Sequence, residues 1–243
     1  MGGYTLESKL RQMPPISAVE AMNEDLHVNR RDFSAQLVAA GLGVTALASA
    51  QAAIAQGTVP TEGTQFTRID PAVPAQTAGK IDVLEFFSYA CPHCSAFEPT
   101  LDAWAKKLPA DVNFQRVPVP FLMNAENFQR TYYALQTLGQ IDALQRKFFS
   151  AIHIERAHLD KPADIAAWMA KNGVEAAKFL DVFNSFSVVN SVTKAKKLTT
   201  AHRIEGVPTL AVQGRYLTSP GQAGSAEGAL AVADYLIQRA RKG

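Results

Sequence analysis

Cysteine is nearly absent from these 243 residues: there are two, Cys91 and Cys94. So few exclude a disulfide-stapled scaffold and a four-cysteine zinc site. Excess charge of one sign is missing too. With 24 basic against 22 acidic residues the formal net charge is +2, which excludes nucleic-acid or other polyanion binding driven by bulk charge. Glycine and proline, at 15 and 13, are too ordinary for a collagen-like or low-complexity chain. Nor is there a strongly apolar run of about 20 residues, the length a membrane span needs. The one long uncharged stretch, Phe33 to Pro60, leans on Ala, Gly, Ser, Thr and Gln.

That stretch has the layout of an export signal. Asn29-Arg30-Arg31-Asp32-Phe33 precedes it, and Ala53-Ile54-Ala55 supplies an A-x-A cleavage pattern, with Ala48-Ser49-Ala50 as a second candidate. The paired arginines, with a Phe two residues on, resemble a twin-arginine signal; the general secretory route is the alternative. Met22 stands at an ordinary distance before the arginines and is a candidate start. Cleavage after Ala55 leaves residues 56–243, of one-domain size. Delivery to the periplasm is expected, a compartment in which disulfides persist.

After a leading arm, in which Gln65 to Arg68 could form a short edge strand, Ile81 to Phe87 is an apolar run of β-formers, the pattern of a buried strand. It leads through Ser88-Tyr89-Ala90 into Cys91-Pro92-His93-Cys94. Phe97, Leu101, Trp104, Ala105 and Leu108 then recur at helical spacing until Pro109, with Pro99 inside the pattern as an expected kink. Val112 to Pro118 reads as a second strand, completing a βαβ unit. From 124 onward the apolar stripes are helical: Tyr132, Leu135 and Leu138; Leu144, Phe148 and Phe149; Ile165, Trp168 and Met169; Phe179, Val182 and Phe183. Strand pattern returns at Thr209 to Val212, turns at Gln213-Gly214 and continues over Arg215 to Leu217. A final helix is expected over about Ala226 to Arg239. The fold class is α/β, a run of helices inserted between two halves of one unit.

A C-x-x-C pair at a strand-to-helix junction beside a βαβ pattern is a thioredoxin-like redox signature. One helical turn separates the two cysteines, so their sulfurs can close a small ring. Cys91 is expected at the exposed helix start, where free N–H groups and the helix dipole favour a thiolate. Cys94 is the more enclosed, resolving thiol. Pro92 suits the first helical turn. His93, between the cysteines, is a candidate catalytic residue because a neighbouring cation or N–H donor favours the ionised sulfur.

Val83 to Cys94, read as VLEFFSYACPHC, resembles the active-site segment of the DsbA family of periplasmic thiol:disulfide oxidoreductases, and Gly206-Val207-Pro208-Thr209 resembles that family's cis-proline loop. The resemblance covers nearly all of 56–243. It implies a thioredoxin-like fold with an inserted helical domain, divided as 1–55 N-terminal extension and export signal, 56–123 first part of the thioredoxin-like domain, 124–190 helical insertion, and 191–243 second part. It implies a transferable Cys91–Cys94 disulfide, a depressed Cys91 pKa and an oxidising potential. The implied partners are folding exported proteins and a quinone-linked membrane oxidase of the DsbB type. Val207 and Pro208 would flank Cys91, with a cis bond between them and the backbone near Val207 pairing with an extended substrate. Glu85 matches the family's buried acidic residue, a candidate proton relay; where the family usually has Lys on the next strand, Arg116 is the nearest candidate, and Arg holds its charge more firmly.

No cofactor or metal is expected: two cysteines and scattered histidines (His153, His158, His202) make no zinc site. Ser95, where covalent haem attachment needs His, excludes that chemistry. Gly41-Leu42-Gly43-Val44-Thr45-Ala46 fits a dinucleotide fingerprint only superficially, within the export signal. The cluster Lys194 to Lys197 reads as a solvated helix face. A monomer without nucleic acid is expected. Two other functions remain compatible: a redox-sensing, peptide-binding chaperone, and an isomerase or reductant of the same fold.

Overall fold

Residues Ile81–Phe87 (β2) are all buried, which is why this strand is apolar on both faces. In the computed structural model, which describes residues 59–242, β2 is an interior strand, paired on both sides. Val112–Pro118 (β3) lies parallel on one side, and Thr209–Val212 (β4) antiparallel on the other. Tyr216–Thr218 (β5) and the two-residue Thr67–Arg68 (β1) complete a five-stranded sheet of order β1-β5-β4-β2-β3. The export-signal residues, with Arg30, Arg31 and both candidate cleavage sites, lie outside the described part.

Strand alternation sorts the side chains onto two faces. Ile81 and Val83 of β2 meet Phe97 and Leu101 of helix α1 (Pro92–Ala105) and Leu230, Ala233 and Ile237 of the C-terminal helix, Ala226–Arg241. Leu84 and Phe86 face the other way, against Ala195 and Leu198. The helices between β3 and β4 are α2 (Ala125–Thr137), α3 (Ile141–His153), α4 (Pro162–Lys171), α5 (Ala176–Phe183) and α6 (Phe186–Ala201). After β5 come α7 (Pro220–Ala223) and the C-terminal helix, α8. Phe128, Tyr132, Leu144, Phe148, Phe179 and Phe183 fill a second core that reaches Phe87 and Tyr89 beside the cysteines. Among the described residues no helix is long and apolar enough to cross a membrane.

Three details depart from the sequence reading. The first helix ends at Ala105 rather than near Leu108, with Pro99 inside its span as expected. The edge strand keeps only Thr67 and Arg68. The division expected between residues 190 and 191 falls inside α6, a single helix from Ser185, whose hydroxyl caps the Val188 N–H, to Ala201. Its C-terminal half packs on the sheet through Ala195 and Leu198, so α6 belongs partly to each layer.

The β4–β5 hairpin turns tightly. Gln213 and Gly214 both have positive φ (52° and 61°), and Arg215 N donates to Val212 O at 3.0 Å, as in a type I′ turn. A Cβ on Gly214 would lie 2.1 Å from the Val73 carbonyl oxygen. Gly214→Ala should therefore cost more than about 1 kcal/mol, from strain at positive φ plus this clash; denaturant unfolding that matches wild type would refute the assignment.

Candidate active site

Buried Ser88, just after β2, turns the chain into the first helix. Its hydroxyl accepts from Ala90 N at 3.1 Å, and its carbonyl accepts from Cys91 N at 3.0 Å. Cys91 thereby becomes the N-cap of α1, with Pro92 in the first turn, where no backbone donor is needed. Its sulfur does the work that a Ser or Asp oxygen does in ordinary caps, accepting the Cys94 N–H at 3.4 Å. Cys94 is wholly buried one turn on, and both cysteines are free thiols.

This geometry splits the two acidities. Cys91 is lowered to about 6, chiefly because the Cys94 thiol hydrogen-bonds to its sulfur; burial opposes this, while the Cys94 and His93 backbone N–H groups reinforce it. The His93 imidazole comes last among the causes, and that side chain is exposed. The sequence offered both the helix-start N–H groups and His93 as supports of the thiolate; the cap geometry puts Cys94 and the backbone ahead of the imidazole. Cys94 is raised far above the ordinary thiol value, by burial first and then by its contact with Cys91. One sulfur is a ready nucleophile and leaving group, and the other is held protonated.

The loop before β4 reaches the same point. The Val207–Pro208 bond is cis, and the Cys91 thiol donates to the Val207 carbonyl at 3.4 Å. Residues 116 apart in sequence thus meet at the Cys91 sulfur. Beside them a groove of about 460 Å³ is lined by His93, Phe97, Val207, Pro208, Thr209 and Pro220, among others. Phe97 and Pro220 gave no functional signal in the sequence, being indistinguishable there from core and turn residues.

Under the cysteines lies a buried charge cluster that the sequence disclosed only in part. Parallel register sets Glu85 of β2 directly beside Arg116 of β3. Arg116 Nε is 3.1 Å from Glu85 Oε2, and its NH2 group donates to Glu98 Oε1 of α1 at 2.8 Å. Glu85 and Glu98 are 1% and 2% exposed. Two carboxyls therefore share one guanidinium, which also lies 5.2 Å from the centre of the Phe114 ring. Burial raises both carboxyl pKa values against the pull of Arg116. Burial also works against the Arg116 charge, but Glu85 and Glu98 outweigh it and its pKa is raised. Two ionised carboxylates against one cation would leave a net buried negative charge, so the cluster favours holding a proton.

The helical insertion grips the site at Tyr89. Its hydroxyl donates to Gln145 Oε1 of α3, and its carbonyl accepts from His153 Nε2, 2.8 Å away at the end of the same helix. The rings of Phe87, Phe128, Phe148 and Phe149 surround it. Glu98 and Gln145 went unnoticed in the sequence, and Tyr89 was read there only as part of the segment leading to the cysteines. A signal existed for Glu98, a charge at the position where α1 turns inward between Phe97 and Leu101.

Comparison with known proteins bears on this site directly. Residues 82–227 match the family described as "DSBA-like thioredoxin domain". The thiol:disulfide interchange protein DsbA of Bordetella pertussis is 46% identical over 211 residues, spanning 86% of this chain and 98% of the relative. The protein of the same name from Pseudomonas aeruginosa is 40% identical over 198 residues, 81% of this chain and 93% of the relative. The crystal structure of P. aeruginosa DsbA superposes with a TM-score of 0.73 at 40% identity, covering 75% of this chain and 95% of that one. That of the oxidoreductase DsbA from Xylella fastidiosa gives 0.70 at 33%, covering 76% and 100%. The thioredoxin-like sheet with its inserted helices thus has its counterpart in sequence and in fold, and the chain belongs to the DsbA family, as a thiol–disulfide oxidoreductase.

Proposed function

We propose that the protein carries a Cys91–Cys94 disulfide and donates it to exported proteins as they fold in the periplasm. The observation that carries this reading is the opposed character of the two sulfurs, a capped Cys91 at about 6 and a buried Cys94 raised far above the usual range. A substrate thiolate attacks Cys91 Sγ, forming a mixed disulfide, and Cys94 leaves as a thiolate. Buried, that sulfur needs a proton, and Glu85 of the carboxyl pair is the donor. A second substrate thiolate then attacks the substrate sulfur and expels Cys91, whose low pKa makes it a good leaving group. Two electrons have passed from the substrate thiols to the enzyme. Reoxidation runs the exchange backwards against a disulfide of a DsbB-type, quinone-linked membrane partner, and Cys94 returns its proton to Glu85.

Val207 and Pro208 are the proposed substrate contacts, the groove beside them taking an extended segment. His93 is proposed to favour the Cys91 thiolate, in a supporting part. The signal layout within residues 1–55 supports the periplasmic site of action.

The direct test mixes oxidised protein with a reduced, unfolded client and counts thiols. Transfer of one disulfide per enzyme molecule, faster than from oxidised glutathione at equal concentration, is expected. Client binding with its thiols left unchanged would instead mark a peptide-holding module. Reshuffling of wrongly paired disulfides with little net oxidation would mark an isomerase.

A further inference from the structure

The buried cluster under the cysteines contains two polar atoms that complement one another. Among the described residues, Gln145 Nε2 is a buried donor without an acceptor and Glu98 Oε2 a buried acceptor without a donor, while Glu85 Oε2 and Arg116 Nε, also without a hydrogen bond, face each other as an ion pair at 3.1 Å. The other end of the Gln145 amide is already fixed. Tyr89, itself fully buried, donates its hydroxyl to Gln145 Oε1. An amide has one oxygen and one nitrogen, so anchoring the oxygen at Tyr89 commits the nitrogen to the opposite side.

We propose that Gln145, on the inserted helix α3, is a positioning residue that keeps the proton shared by the two buried carboxyls on Glu85 by donating its amide hydrogen to Glu98. An amide N–H favours the ionised form of the carboxyl it meets. The groups facing Glu98 act in the same frame. Arg116 of β3 lies between it and Glu85 of β2; Asp102 is on its own helix, and Arg146 adjoins Gln145 on α3. The Tyr89 and Tyr132 phenols are buried close by. Burial raises the Glu98 pKa and Asp102 adds to that, while Arg116, Gln145 and Arg146 pull it down. With Glu98 ionised against Arg116, the remaining proton belongs to Glu85. Of the two carboxyls, Glu85 is the one whose charge acts on Cys94.

The consequence has a definite sign. A neutral Glu85 tolerates a developing thiolate on Cys94 and can give it a proton, so the reduced form is favoured and the disulfide oxidises more strongly. Without the Gln145 donor the proton moves toward Glu98. Glu85 then carries charge beside the departing sulfur, and the disulfide becomes the preferred state. The helical insertion would thereby tune the redox centre through one amide. This rests on Glu85 serving as proton donor to Cys94.

The test compares Gln145→Met and Gln145→Leu with wild type, each also in a Glu98→Gln background. Both are close in volume to Gln and lack the donor without adding charge, and Leu serves if Met fails to fold. In glutathione equilibria both variants should shift roughly 3- to 10-fold toward the disulfide. In the Glu98→Gln background that shift should vanish, because the amide no longer has a carboxylate to favour. The pH dependence of client oxidation should move along with the equilibrium in the single variants. An unchanged equilibrium, or an equal shift in both backgrounds, overturns the proposal and leaves the Glu85 reading standing. A shift confined to the Glu98 background, with the oxidation rate and its pH profile unmoved, supports the Gln145 placement and overturns Glu85 as donor. A merely structural Gln145 would lower the stability of oxidised and reduced protein equally and leave their ratio alone.

Discussion

Replacing Cys94 with Ala should raise the Cys91 pKa from about 6 toward the ordinary thiol value of 9.0, and by more than His93→Ser does. The Cys94 thiol is the leading cause of the acidity of Cys91, and the His93 charge is the smallest of the five. At pH 7 the thiolate fraction would fall from about nine in ten to a few per cent. His93→Ser removes only the last contribution, so its reduction potential should drop slightly while most acidity survives. Thiolate absorbance against pH measures both variants. A larger shift in His93→Ser would return the leading part to the imidazole. Cys94→Ala should also accumulate mixed disulfides through Cys91, having no second thiol to resolve them. Because the folded pKa of Cys91 is depressed, it stabilises the reduced protein above the unfolded thiol pKa, and this is lost as pH falls through about 6. The stability advantage of the reduced over the oxidised form should therefore shrink between about pH 9 and pH 6.

Arg116→Leu should be the most damaging single change in the cluster. It strands two buried carboxyls, and removing one side of a buried ion pair costs about 3–5 kcal/mol, a large share of the stability of a typical domain. The loss should depend on pH in a way that packing damage does not. Burial raises both Glu85 and Glu98 above 4.5, so between that value and their folded pKa values the native state binds more protons than the unfolded chain. Stability then falls as pH rises. Without Arg116 the fall should be steeper and reach higher pH, leaving the variant much closer to wild type at pH 4.5 than at pH 7.5. Arg116→Lys keeps a cation there and should recover much of the loss. Equal destabilisation of Arg116→Leu at both pH values, by denaturant unfolding, would contradict the charge argument.

The sheet and helices were legible because their signals are local. The apolar run at Ile81–Phe87, the capped C-x-x-C, the helical stripes of the insertion and the Gln213-Gly214 turn each state their geometry within a few residues. Glu85 was legible because a charge in an apolar strand is conspicuous, and Arg116 because the next strand offers few cations. Glu98 escaped notice since a Glu in an amphipathic helix is ordinarily solvated. Only the pairing register of β2 with β3, together with the angle at which α1 crosses them, brings it to Arg116. Gln145 and His153 lie more than 50 residues from Tyr89, and no spacing rule connects them. The order of causes at Cys91 was likewise hidden, since it depends on where a thiol hydrogen points.

The carbonyl of Val207 facing Cys91 has a consequence for how the enzyme comes into being. The strand that seals β2 on its second side, Thr209–Val212, is made only after the whole helical insertion. A chain synthesised as far as residue 200 already carries Cys91-Pro92-His93-Cys94, but Cys91 lacks its opposing loop, and Val83 to Phe86 stand as an unpaired, mostly apolar edge. Closing a contact over 116 residues is entropically tolerable, since loop cost grows only logarithmically, by about 0.6 kcal/mol per doubling. It is nonetheless a late event, set by the arrival of the segment from Val207 onward. While incomplete, the oxidoreductase thus carries both cysteines on a sheet open along one strand, until its own C-terminal segment closes the site.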